Sequence, residues 1–207
     1  MELFKNIRFY VLSFSILLSI LIYVQTIQTI PEVTLQTASL IQYYALIAVT
    51  FLYLTLLATP LTRIFTFLPF RGQYIKARRA LGVSAFYFGL LHACLVFFGP
   101  MGGFTGLFSL RGKYLLAAIL GITTLAILTL MASTAFDFMI DRLGFKRWKF
   151  LHRFVYLASI SILFHALIFG SHFQDLSGII PKIFLIALVL LIILEIKRFY
   201  IYLKNNN

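Results

Sequence analysis

Six times in 207 residues the chain runs for about twenty positions with almost no charge, and that repetition decides its class. The runs cover roughly 9 to 29, 38 to 58, 80 to 99, 114 to 133, 152 to 170 and 179 to 199. A helix needs ~20 mostly apolar residues to cross a hydrocarbon core ~30 Å thick. Backbone groups in lipid must be paired internally, so an uncharged run of this length is read as a helix. The sequence predicts an all-α membrane protein, a bundle of six transmembrane helices, with residues 1–207 forming a single domain. At 61% hydrophobic and 12% charged residues, an ordinary soluble domain is excluded.

The net charge of +12 would suggest nucleic acid in a soluble chain, but its placement gives it another meaning. Fifteen of the 18 basic residues fall in segments on one side of the predicted bundle, leaving Arg111, Lys113 and Lys182 on the other. The positive-inside rule then puts both termini in the cytoplasm. The expected contact of these charges is membrane lipid, with no nucleic-acid partner. The first run follows a short basic stretch, yet it is long for a signal and lacks a small-residue cleavage site, so it reads as a retained helix. The single cysteine, Cys94, rules out an internal disulfide and is expected as a small buried residue on the third span.

The stretch from Arg147 to His165 begins as a basic surface segment and turns apolar at Phe154. It carries His152 at its entrance and His165 deep inside. An ionisable side chain at membrane depth costs ~3 kcal/mol on insertion scales and marks a functional site by default. The third span offers a counterpart. His92 lies 13 residues past Arg79 and His165 lies 12 past Arg153, so both stand ~18 to 20 Å along parallel helices from the basic belt. Small residues share each face: Gly89 and Ala85 with His92, Ser161 and Ala158 with His165. Two imidazoles at one level, flanked by room for a flat macrocycle, point to a bis-histidine haem between the third and fifth spans.

His152 lies ~20 Å nearer the cytoplasm than His165 and about 140° away on an ideal helix, so both face one interior only if the helix bends. It reads as a ligand of a second, inner haem or as part of the site where electrons enter; an interfacial histidine on a lipid phosphate is the plainer reading. Arg78, Arg79 and Arg153 lie at the same level, where a haem propionate or a flavin phosphate can be paired; each also serves as a topology anchor.

Other segments carry weaker expectations. Pro60 should end or kink the second helix near Thr59. The outer loop G-P-M-G-G-F-T-G lacks the context of a phosphate-binding loop and reads as a flexible turn. The uncharged fourth span reads as structural, Asp137 and Asp141 with Arg142 as a solvated turn, and His172 as an outer-loop histidine.

The order L-L-A-T-P-L-T-R at 56 to 63, R-R-A-L-G at 78 to 82 leading to His92, and R-L-G-F-K-R-W-K-F-L-H-R-F-V-Y-L-A at 142 to 158 leading to His165 resembles the MsrQ (formerly YedZ) family. These are haem-binding membrane subunits of a bacterial methionine-sulfoxide reductase system, within the ferric-reductase-like transmembrane group. The resemblance implies that His92, His152 and His165 are haem-associated and that one or two b-type haems are bound, with FMN a further candidate cofactor. It also implies a multi-pass place in the bacterial inner membrane. Electrons would come from a cytoplasmic flavin reductase or the quinone pool and pass to a periplasmic molybdopterin enzyme that repairs oxidised methionine. Two other functions fit the residues less fully: a stand-alone ferric or other small-acceptor reductase, and a proton-coupled transporter using membrane histidines as a relay.

Overall fold

The structure, a computed structural model, describes residues 6–170, 173 and 177–204. His172 lies outside the described residues. Among the described residues every regular element is helical: α1 (Ile7–Thr29), α2 (Val33–Ile64), α3 (Arg71–Phe98), α4 (Gly103–Ser109), α5 (Gly112–Ser133), α6 (Asp137–Leu143), α7 (Phe145–Leu151), α8 (Val155–Phe169) and α9 (Ile179–Lys204). A single 3₁₀ turn, His152–Phe154, joins α7 to α8. Helices α1, α2, α3, α5 and α9, with α7 and α8 taken together, are the six segments long and apolar enough to cross a membrane.

Polarity in α1 is reversed relative to a water-soluble helix. Its buried residues are Ser15, Ser19 and Thr26, while Ile16, Leu17, Ile20 and Leu21 face outward. In lipid this is the favourable arrangement, because the tails are as apolar as leucine and small polar residues let helices approach and bond. Ser15 donates to Ser84 of α3 at 2.7 Å, Ser19 pairs with the Tyr87 hydroxyl at 2.8 Å, and Tyr44 of α2 donates to the Ser19 carbonyl at 3.1 Å. These bonds hold α1 against α2 and α3.

The core is aromatic and centred on Phe88 of α3, which is fully buried. Phe51 stacks on it with centroids 5.7 Å apart, and Tyr44 and Tyr87 pack at 5.8 and 5.3 Å. Helix α3 packs against α1, α2 and α5; α5 packs on α8, and α2 on α9. Helix α3 is thus the central post, and His92 stands on it.

Three expectations are corrected. Pro60 does not end the second helix, which runs on to Ile64. The missing Pro60 N–H deprives only the Leu56 carbonyl, four residues back, of its helical donor, and helices in lipid tolerate such a loss where neighbouring helices and local adjustments make it good. The glycine-rich outer loop contains α4, entered through Gly102 and Gly103 at φ of 67° and 73°, the left-handed region that glycine enters freely. Cys94 is exposed, because two residues past His92 is ~200° round the helix, on its outward side.

Candidate functional site

The imidazoles of His92 and His165 meet inside the bundle, with ring centroids 6.3 Å apart and planes perpendicular. Each is fixed by a backbone carbonyl of a neighbouring helix. His92 Nδ1 lies 3.0 Å from Ile41 O of α2, and His165 Nδ1 lies 2.8 Å from Ala117 O of α5. A carbonyl can only accept, so both rings carry their proton on Nδ1 and keep the Nε2 lone pair. Metal-ligating histidines are held in this way, the outer N–H bonded to a carbonyl or carboxylate and the other nitrogen free.

The small residues beside this pair behave as their spacing suggests. Ala85, Ala158 and Ser161 are buried, and nothing lies within 4 Å of where a Cβ at Gly89 would stand. The fourth span, read as structural, is more than that. Helix α5 supplies the carbonyl for His165, and its C-cap, Thr134, meets His152. Among the described residues no three His, Cys, Asp or Glu side chains gather where they could hold a bare metal ion.

His152 sits apart from the pair. The 3₁₀ turn beginning at His152 advances ~120° per residue, which narrows its angular offset from His165 to about 80°. Both rings contact the α5 chain, His165 at the Ala117 carbonyl and His152 at Thr134. The Thr134 hydroxyl donates to Leu130 O at 2.7 Å, so the 3.3 Å contact with His152 has Nε2–H as donor, the reverse of the other two histidines. Trp148 covers the ring, centroids 4.2 Å apart, and anchors itself by donating to Thr134 O at 2.9 Å.

A charged layer surrounds this inner histidine. The Arg79 guanidinium lies 5.6 Å from the Trp148 ring centre and ion-pairs with Asp137. Asp137 also takes Arg8 of α1 at 2.9 Å. It therefore links the starts of α1 and α3 to the segment that follows α5, and it does so from a solvent-exposed helical turn, as expected of it. Arg79 first, then Arg8, holds its carboxyl below the usual range. Arg78 is half-buried, near Tyr156 of α8 and near Glu195 and Arg198 of α9. The Glu195–Arg198 pair, 2.7 Å, ties that end of α9 to Tyr156 of α8 through the tyrosine hydroxyl. Arg153 is exposed.

The profile of a family described as the ferric reductase like transmembrane component matches residues 41–163, a stretch that holds His92 and His152 and stops two residues short of His165. The chain belongs to that family. Ferric-reductase-like relatives at sequence level include proteins named protein-methionine-sulfoxide reductase heme-binding subunit MsrQ. The one from Agrobacterium fabrum (strain C58) is 38% identical over 120 residues, 57% of this chain and 52% of the relative. That from Cronobacter sakazakii is 36% identical over 123 residues, 58% of each, and that from Herminiimonas arsenicoxydans 33% over 115, 55% and 50%. The chain spans about half the length of the curated relatives it matches.

Proposed function

We propose that this ferric-reductase-like chain is a haem-binding electron-transfer subunit of a methionine-sulfoxide reductase system in the bacterial inner membrane. The observation that carries the reading is the His92–His165 pair. His92 and His165 would hold a haem iron between them, each through the Nε2 that its carbonyl partner leaves free. Their ring centroids lie 6.3 Å apart, which brings both imidazoles to one place between α3 and α8. Two imidazoles are too few to hold a bare ion, but they would suit an iron that brings a macrocycle of its own. The names of the relatives support the same cofactor.

When bound, haem supplies one-electron iron chemistry that no amino-acid side chain here offers. The chain's own residues do the rest. His92 and His165 ligate, and the Ile41 and Ala117 carbonyls orient them. Alanines, Ser161 and the Phe88 cluster exclude water. We assign His152, Trp148, Arg78 and Arg79 to the input end, where cationic groups suit a propionate, or the phosphate of FMN or of a docking flavin. A second, inner haem on His152 through Nε2 requires its ring to leave Thr134. The donor is a cytoplasmic flavin reductase or the quinone pool, and the acceptor a periplasmic molybdopterin subunit that reduces methionine sulfoxide.

The test is reoxidation of the dithionite-reduced protein. Rapid reoxidation by the purified periplasmic molybdoenzyme with a methionine-sulfoxide substrate, and slow reoxidation by ferric chelates, supports this acceptor. The opposite ranking makes the chain a stand-alone ferric reductase.

A further inference from the structure

In an α-helix the N–H of residue i+4 bonds the carbonyl of residue i, and the side chain at i+4 stands beside that carbonyl. A group from another helix reaches such a carbonyl only if the covering side chain is small. The carbonyl that holds His165 belongs to Ala117, and four residues on is Gly121. A Cβ at Gly121 would stand 3.0 Å from His165 Nδ1 and 3.1 Å from its Cε1. That is inside the ~3.5–4.0 Å at which non-bonded heavy atoms gain most. Gly121 has no positive φ, so no backbone conformation demands a glycine there. Mid-helix glycine costs ~1 kcal/mol relative to alanine, and what it provides at this position is space. Across the pair, the Ile41 carbonyl that holds His92 is followed four residues on by Ala45, again a small residue.

We infer that Gly121 is a positioning residue for His165: its missing Cβ admits the imidazole onto the Ala117 carbonyl, which keeps the proton on Nδ1 and leaves Nε2 as the ring's ligating nitrogen. The consequence for haem rests on the reading above, but the contact itself does not. An alanine at Gly121 moves the ring off the carbonyl, so the N–H loses its direction and the ligand its fixed orientation. Outer-shell partners of this kind are typically worth about 10- to 100-fold in metal affinity.

The experiment compares full-length wild type with G121A and with G82A as a matched control. Gly82 is also mid-helical, and a Cβ there meets only the Thr55 side chain at an ordinary 3.6 Å. Ring-nitrogen NMR on protein labelled at its four histidines, prepared without added haem, reads the tautomer of His165, assigned by its loss in H165A. Haem affinity is then read by competition, and the ferric low-spin resonance by electron paramagnetic resonance. The expected result is Nδ1–H at His165 in wild type and G82A. In G121A that signal is lost, haem affinity is about 10- to 100-fold weaker and the low-spin signal is altered. Wild-type His165 protonated on Nε2 overturns the inference whether or not G121A folds or haem binds. So does a folded G121A with unchanged affinity and resonance. Wild type that binds no haem overturns the haem reading alone.

Discussion

Trp148 lies against His152 with ring centroids 4.2 Å apart and planes 32° from parallel, while its indole N–H donates to the Thr134 carbonyl at 2.9 Å. One side chain therefore ties the inner histidine to the end of α5. W148F keeps the ring and loses the hydrogen bond, which should cost about 1 kcal/mol. W148A also loses the aromatic contact, about another 1 kcal/mol. Equilibrium unfolding in mixed micelles checks the order; equal stability for wild type and W148A would contradict it.

Asp137 receives both Arg79 and Arg8, and its carboxyl titrates below the usual range for that reason. A carboxylate whose folded pKa lies below its unfolded value of ~3.9 stabilises the fold above about pH 4, and the gain is lost as pH falls through the folded value. D137N should melt lower than wild type at pH 7, with the gap closing below about pH 4 and shrinking in high salt. A gap that stays constant from pH 7 to 3 would show that the ion pairs do not produce it.

Ser15 and Ser84 share a 2.7 Å hydrogen bond in a fully buried place between α1 and α3. The Ser15 hydroxyl keeps an alternative in the Val11 carbonyl of its own helix, 2.9 Å away. S84A should therefore cost only about 0.6 kcal/mol, the average for such bonds in membranes. A bulkier S84L, forced into the α1–α3 seam, should cost about 1–3 kcal/mol through overpacking. Retention of α1 under limited proteolysis reads both.

Arg8, Arg79 and Asp137 place the starts of α1 and α3 and the end of α5 at one end of the bundle, which is also the basic end of the sequence. The positive-inside rule predicts that this end faces the cytoplasm. A fluorescent protein fused after the last residue should fold and fluoresce, while an alkaline phosphatase fused there should stay inactive. The reverse pattern would invert the topology.

The hydropathy runs carried the fold, because a membrane leaves an apolar run one way to pair its backbone. The depth of His92 and His165 was legible for a related reason: counting residues from a basic belt measures distance along a helix. What the sequence hid were relations between helices. Asp137 is the solvated acid it looked like, but nothing local names Arg8 and Arg79 as its partners. Gly121 and Ala117 lie on a span without a charge, so only the position of His165 gives them meaning. Cys94 was misjudged because a cysteine reads as a buried residue by habit, whereas in a bilayer the outward face is apolar too. Pro60 was overweighted because the rule for water-exposed helices ignores that Leu56, Ala58, Pro60 and Thr62 are buried against neighbouring helices.

The most direct test of the whole account is the reduced-minus-oxidised visible spectrum of the purified protein, with haem quantified, for wild type beside H165A and H152A. Low-spin b-type bands in wild type that collapse in H165A are the predicted result, and any partial loss in H152A measures an inner haem. Wild type without haem from cells supplied with it, or an H165A spectrum equal to wild type, would contradict the site between α3 and α8.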